Sequence, residues 1–424
     1  MRETVDFLVR NVRRYDADAL VDIAIAKGRI VHIGQADLSI APARSLDLEG
    51  YLVSPAFVEP HYHLDKCFVA DISLPEGTLE EQLAASSTVK TALTASHVAE
   101  RATRMGRLLA GRGVTMVRSF ADIDEFAELR ILEGLREAKR RLEGMIDLQI
   151  VAFPQHGLFT HAGTFDLIVK ALESGVDAVG GHPQLENGPE NAHRQVRTVF
   201  ELCRAYDVDA DFHVDETDDP SSRWMEETLR VAIEFGWEGR LNLAHCCSLP
   251  KQNAGYRESI YALLKAAGAT VVSSPTSGLL FRGYGDHDPP RGITTVREIM
   301  ERGINVAIGQ ELYQSVFSRH LRFPDPLFTG QLMAYLAKLS DGSGLMKVHH
   351  MLTLNPAKSL RMKDYGLSVG DRADLVFLKA SSIEEAFTVL TPERLVLKGG
   401  QLVSQSRYCQ STWDPEAHGL SPLA

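Results

Sequence analysis

The run Glu59-Pro-His61-Tyr-His63-Leu-Asp-Lys66 places two imidazoles at i and i+2. On an extended strand that spacing projects both rings to one side, where they can converge on a metal ion. Two solvent-facing histidines on an edge strand would give the same pattern, so the reading depends on what the rest of the chain supplies. Three further apolar runs end in complementary groups: His213-Val-Asp215-Glu216, then His245, then Glu311. Lys66 follows the His-x-His run directly; it can reach the same pocket as a cation or, desolvated, as a base, or it can pair with a loop carboxylate such as Asp65.

These groups lie up to 250 residues apart, so the elements between them must bring them together. From residue 53 to 311 the chain repeats a short apolar run, a polar residue at its end and a longer amphipathic segment. The strands expected are Val53 to His63, Val114 to Asp122, Ile146 to Gln155, Ala178 to His182, Ala210 to Glu216, Leu241 to Cys246, Ala269 to Pro275 and Asn305 to Glu311. With His61, Arg118, Gln155, His182, His213, His245, Ser274 and Glu311 as markers, the gaps are 57, 37, 27, 31, 32, 29 and 37 residues. A (β/α)8 barrel of about 250 residues repeats every ~31. Segments such as Ala192 to Tyr206, Ser221 to Phe235 and Ser259 to Ala267 carry the apolar stripe of outer helices, and the long first gap has room for an extra helix. In such a barrel every strand ends on one face, which makes His61 and Glu311 neighbours.

Both chain ends read differently. Phe7-Leu-Val-Arg-Asn, Val21-Asp-Ile-Ala-Ile and Arg29-Ile-Val-His-Ile, with Ala373-Asp-Leu-Val-Phe-Leu and the Leu395 to Val403 hairpin around Gly399-Gly400, are short strands between turn residues. The fold class expected is α/β: a TIM-like barrel over 57–365, with a small β-sandwich formed by 1–56 and 366–424.

The 424 residues carry 45 basic and 56 acidic side chains, a formal charge of -11, with no basic stripe to track phosphates. Nucleic acid is excluded as an expected partner, and no apolar run has the length of a membrane span or signal core. The five cysteines lack C-x-x-C spacing, which speaks against a disulfide framework and a Cys-only zinc site and fits a cytoplasmic protein.

Val58-Glu-Pro-His-Tyr-His-Leu-Asp-Lys66, Ile146 to Gln155, Phe212-His-Val-Asp-Glu216, Ala244-His245, Arg291-Gly-Ile-Thr-Thr-Val-Arg-Glu298 and Gly303-Ile-Asn-Val306 together resemble the amidohydrolase superfamily, in its cytosine deaminase-like branch. Leu64-Asp65-Lys66 is also similar to N-isopropylammelide amidohydrolase. The resemblance runs from about residue 5 to 405. It implies one divalent metal ion, zinc or iron, held by His61, His63 and His213. It further implies Glu216 as proton shuttle, His245 as partner of the reacting water and Gln155 as a substrate hydrogen-bonder. Three neutral imidazoles leave a position for water, whose pKa falls from about 15.7 towards roughly 7 to 9. A buried glutamate with a raised pKa can then serve proton transfer in both directions; the other reading of Glu216 is a helix-entry acid before Thr217-Asp-Asp.

At the end of strand eight the family carries an aspartate that binds metal and activates water, whereas this chain has Gln310-Glu311-Leu312. Glu311 still supplies a carboxylate, as ligand and catalytic group, but one methylene longer. Leu312 lacks the polar contact of the next family position, which points away from cytosine itself as substrate. The function expected is hydrolysis of a carbon-nitrogen bond in a small nitrogen heterocycle, foremost by deamination. The rivals are hydrolysis of an N-substituted amine or cyclic amide and, more distantly, a non-catalytic ligand-binding barrel. A homo-oligomer is implied by the resemblance alone. Two basic segments, Tyr313 to Phe328 with Arg319, His320 and Arg322, and Arg282, His287 and Arg291, are expected either to cover the site or to form solvated charged faces. His182 is expected to support a loop, and Cys246 and Cys247 to be packed beside His245.

Overall fold

The computed structural model describes residues 3–36, 40–69, 79–283, 286–315 and 323–408. Five strands open the chain: β1 (Glu3–Arg14), β2 (Leu20–Ala26), β3 (Arg29–Gly34), β4 (Ile40–Asp47) and β5 (Leu52–Pro55). The barrel follows with β6 (Phe57–Tyr62), β7 (Val114–Asp122), β8 (Asp147–Phe153), β9 (Ala178–Gly181), β10 (Asp209–Val214), β11 (Leu241–His245), β12 (Thr270–Ser273) and β13 (Val306–Ile308). The last strands are β14 (Leu375–Leu378), β15 (Arg394–Lys398) and β16 (Gln401–Gln405).

Strands β6 to β13 pair in parallel in chain order, and a parallel bridge between Tyr62 and Glu311 joins the last strand to the first. At that seam His63 N donates to Glu311 O at 2.7 Å and Glu311 N to His61 O at 3.1 Å. The expected eight-stranded barrel is therefore present. The expected first strand, Val53 to His63, is two elements. Leu52–Pro55 pairs antiparallel with β14, Ala56 N donates to Asp374 O, and from Phe57 the backbone turns to Gly113 and the barrel. Both pieces are buried on both faces, so the apolar run is continuous and its periodicity carries no mark of the crossing.

The terminal strands form one eight-stranded sheet in the order β16-β15-β14-β5-β1-β2-β3, with β4 beside β1. The sheet curls on itself: Ile23, Ile25 and Ile30 share a core with Phe377, Leu395 and Leu397. Gly28, at φ +74°, sits so close to the Gly399 turn that a Cβ would lie 3.1 Å from Gly399 O, which is why that hairpin tip takes glycine.

The long first gap holds two helices, Leu79–Ala92 and Ala95–Gly111, the second capped by Thr94 accepting from His97 N. The outer helices Pro189–Tyr206, Trp224–Glu234 and Ala254–Ala267 bury the stripes expected of them. Among the described residues no helix is long and apolar enough to cross a membrane. Arg319, His320, Arg322 and Cys409 lie outside the described residues.

Candidate metal centre and active site

Alternation along β6 sends Glu59, His61 and His63 into the barrel. Glu59 is buried and accepts from His61 N at 3.1 Å, from Gln310 N at 3.2 Å and from Gln310 Nε2 at 2.9 Å. Burial pushes its carboxyl up to about 8. His61 is pressed from the other side by the end of β13, where a Cβ on Gly309 would lie 2.8 Å from His61 Cβ. The glycine is needed for that close approach.

Two groups of three converge at the C-terminal end of the strands. His61, His63 and His213 bring one ligand atom each within 4.8 Å of one another, and so do Glu216, His245 and Glu311. All six side chains are buried. The groups adjoin: the His245 ring centroid is 5.3 Å from that of His61 and 5.1 Å from that of His213. Phe120 packs on His61, His63 and His213, and Phe153 stacks on His213 at 4.3 Å. Burial, helped by Lys66 at His61 and His63, holds all three imidazoles of the first group well below their ordinary range, so they are neutral at pH 7.

This set fits a divalent ion. His63 Nε2 and His213 Nε2 face each other at 3.2 Å, close to the ~3.4 Å edge of a tetrahedron with nitrogen ligands at about 2.1 Å. Among the described residues neither ring nitrogen of the buried His61 has a hydrogen-bond partner, an expensive state unless an ion or water is bound. Backbone strain collects at the same place. His245 and Glu311 have φ of +70° and +73°, the left-handed region that non-glycine residues rarely adopt.

The run His213-Val-Asp215-Glu216 divides its duties. Asp215 accepts from Ser222 Oγ, Trp224 N and Met225 N and so caps the helix Trp224–Glu234. The helix-entry role thus falls to Asp215, and Glu216 turns into the site, with Oε2 3.7 Å from His245 Nε2. Burial raises the Glu216 carboxyl; His245 opposes the rise and Glu311 adds to it. The carboxylate of Glu311 lies with Glu216 and His245 rather than inside the three-histidine group.

Lys66 and Gln155 are brought together as well. Lys66 Nζ is 2.6 Å from Gln155 Oε1, 3.1 Å from His63 Nδ1 and 3.1 Å from Asp122 Oδ1. Asp122 is the second-strand residue at the site. Arg118, the marker used for that strand, points inward four residues lower, where it pairs with Asp209 and Asp211. The inward face of β7 reads Arg118, Phe120, Asp122, and strand alternation taken to the strand's last residue would have identified Asp122. Lys90 had no such signal: it comes from the helix Leu79–Ala92 and meets Asp122 Oδ2 at 2.8 Å and Asp124 Oδ2 at 2.7 Å.

The remaining expected residues fall into place around these. His182 Nδ1 lies 3.2 Å from Gln155 O, and burial pulls its imidazole down to about 3. Arg282 donates to Glu216 O at 2.6 Å, so it braces the Glu216 backbone. His287 and Arg291 are exposed, and Arg291 donates to Leu336 O; neither lines the two groups. Cys246 and Cys247 are buried, which pushes both thiols up and leaves them protonated.

Residues 70–404 match the model of the Amidohydrolase family, and the chain belongs to that family. It is a hydrolytic enzyme acting on carbon-nitrogen bonds other than peptide bonds. Among solved structures it is similar to 5-methylcytosine deaminase from Klebsiella pneumoniae, at 30% identity and a TM-score of 0.90, with 96% of this chain and 100% of that chain covered. It is 26% identical over 425 residues to N-isopropylammelide isopropyl amidohydrolase of Pseudomonas sp. (strain ADP), covering 95% of this chain and 98% of that one. Over 391 residues it is 26% identical to pterin deaminase of Rhizobium rhizogenes, covering 91% and 88%. The match to the family model begins at residue 70, beyond His61 and His63, so those two rest on the site geometry described above.

Proposed function

We propose that the protein hydrolyses an exocyclic carbon-nitrogen bond of a small nitrogen heterocycle, foremost by deamination. The observation that carries this is the adjacency of the buried groups His61/His63/His213 and Glu216/His245/Glu311 at one end of the barrel. The relatives support it, since the chain is similar over most of its length to 5-methylcytosine deaminase, pterin deaminase and N-isopropylammelide isopropyl amidohydrolase.

His61, His63 and His213 would hold a divalent ion, with the carboxylate of Glu311 at its margin. When bound, the ion would make water acidic enough to attack at neutral pH. His245 Nε2 accepts a proton from the attacking water. Glu216, its pKa raised by burial, holds a proton to a greater extent than an exposed glutamate and delivers it to the ring nitrogen beside the attacked carbon. As the tetrahedral carbon collapses, its hydroxyl proton passes through the Glu216 carboxylate to the departing nitrogen, and the proton held by His245 returns to Glu216, 3.7 Å away, so water and an aminated ring become an oxo ring and ammonia. Phe120 and Phe153 close the floor of the site and exclude bulk water from it.

A second reading, release of a substituted amine, is favoured by one observation: Lys66, the last residue of the Leu64-Asp65-Lys66 ending that is similar to N-isopropylammelide amidohydrolase, is buried against His63 and Gln155. The chemistry is the same and the leaving group differs. The test is a screen of zinc- or iron-loaded protein against pyrimidines, triazines, pterins and purines, reading ammonia and alkylamine separately and metal content on the same sample. Ammonia from one class, reduced by about 10²- to 10⁴-fold in Glu216→Gln with the metal retained, is the expected outcome. Alkylamine without ammonia would transfer the assignment to the second reading. Absence of metal from the loaded wild type would overturn the site.

A further inference from the structure

One carboxylate to which the reaction above gives no part joins two loops at the catalytic end of the barrel. After β8 the chain turns through Pro154-Gln155-His156-Gly157, with Gly157 N donating to Pro154 O at 3.0 Å, and runs on as Leu158-Phe159-Thr160. After β9 it passes the short helix Pro183–Leu185 and reaches the half-buried Glu186. Glu186 accepts from Leu158 N at 2.5 Å and Phe159 N at 3.1 Å through Oε1, and from Thr160 Oγ1 at 2.9 Å through Oε2. A fourth donor, Gln195 Nε2, lies 2.6 Å from Oε1.

The orientation of Gln195 is fixed by its other end: Oε1 accepts from His182 N at 2.8 Å, so its amide nitrogen faces Glu186. Gln195 is fully buried on the helix Pro189–Tyr206, and the neighbouring Arg194 packs over the Phe159 ring at 3.9 Å. The turn is shaped for the carboxylate. Gly157 has a φ of +95°, and a Cβ there would lie 2.8 Å from Glu186 Oε2. An ionised carboxylate accepts at about four sites, which these four donors take, whereas a side-chain amide in its place would set N–H against N–H. The residues so held follow directly on Gln155, the substrate hydrogen-bonder that the family resemblance implies. Gln155 is therefore fixed on one side by β8, which ends at Phe153, and on the other by the turn that Glu186 clamps.

We propose that Glu186 is a positioning residue: it clamps residues 158–160, which fixes the turn carrying Gln155 and so places the Gln155 amide for substrate. The inference rests on the reading of Gln155 as a substrate-binding residue. It gives the loop after β9 a part in building the site.

The test is a double-mutant cycle of Glu186→Gln and Gln155→Ala on zinc-loaded protein, with 5-methylcytosine, pterin and N-isopropylammelide as probes and KM and kcat read separately. Glu186→Gln is expected to raise KM about 5-fold, the worth of one hydrogen bond, with kcat within about 2-fold of wild type, the signature of lost uniform binding. Added to Gln155→Ala it is expected to change KM no further, because a residue acting through another is not additive with it. Two effects that multiply, or an unchanged KM in Glu186→Gln even with a lower melting temperature, would overturn the proposal and leave Glu186 a structural residue. Crystals of Glu186→Gln give a readout free of turnover: the Gln155 amide is expected to leave its 2.6 Å contact with Lys66 Nζ, and a contact kept in place would equally overturn the proposal. If Glu186→Gln does not fold, Thr160→Val, which removes one of the donors, is read in the same ways. Gln155→Ala with the KM and kcat of wild type would instead overturn the reading of Gln155 itself, a distinguishable outcome.

Discussion

Two layers of the barrel interior bury polar groups, and they do so in opposite ways. In the lower layer Arg118, 1% exposed, donates through Nε, Nη1 and Nη2 to Gln149, Asp211 and Asp209. Asn242 supports Asp211, while Arg240 and Arg361 support Asp209. In the upper layer, among the described residues, His61 has no hydrogen-bond partner at either ring nitrogen, and His213 has none at Nδ1. Both layers face the same desolvation penalty, and buried polar groups are normally satisfied within the fold. In the lower layer every charged side chain is paired within the fold, with Asp211 Oδ1 left without a hydrogen-bond partner among the described residues, and the layer serves stability. The upper layer is left to be satisfied by something that binds.

That contrast is broken or sharpened by substitutions in each layer. The largest effect is expected from His213→Ala: loss of the bound ion and of turnover by at least the roughly 10⁴-fold upper limit for a single proton-transfer group, with the melting temperature of the metal-free protein little changed. Metal analysis and calorimetry on the same preparation check it; an ion retained at full occupancy would place the metal elsewhere. Arg118→Met is expected to do the reverse. It leaves Asp211 buried without its cation, while Asp209 keeps Arg240 and Arg361, and costs about 3–5 kcal/mol of stability, while the folded fraction keeps its ion. Denaturant titration with metal analysis separates the two, and a variant that loses the ion at full stability would erase the distinction between layers.

Gly309→Ala probes the seam where the upper layer is built. Its new Cβ would stand 2.8 Å from that of His61, so His61 must move, at a cost of about 1–3 kcal/mol read as weaker zinc binding. Wild-type affinity would show that the first histidine has slack. The smallest effect concerns protons. His182, in the upper layer, is pulled down to about 3 by burial, whereas the unfolded chain protonates it near pH 6.5. The native state therefore binds fewer protons between those values, and stability falls as pH drops through that window. His182→Asn is expected to flatten this dependence by roughly 1.4 kcal/mol per pH unit between about pH 4 and 6, measured by denaturant titration of metal-free protein. An unchanged slope would mean that His182 is charged in the native state.

The sequence by itself determined the architecture and most of the upper layer. Eight short apolar runs at a barrel's period, ending in His63, Gln155, His182, His213, Glu216, His245 and Glu311, identify which face is chemical, because strand alternation and a parallel barrel bring strand ends together whatever their separation. The strands of both termini were legible from turn residues and β-branched runs. What the tertiary structure alone decided falls where no local period operates. The crossing between sheets at Ala56 is silent in a run buried throughout. Arg118 and Asp122 share one inward face, and only the height of each in the barrel separates a structural cation from a residue that touches the site. The pairing of Lys66 with Asp122 and Lys90 unites a loop, a strand end and a helix through buried charge, whose partners are chosen by three-dimensional proximity and the cost of desolvation rather than by spacing along the chain. Likewise, the sequence offered Glu216 as proton shuttle or as helix-entry acid. The backbone at the end of β10 chose Asp215 for the cap and turned Glu216 towards His245.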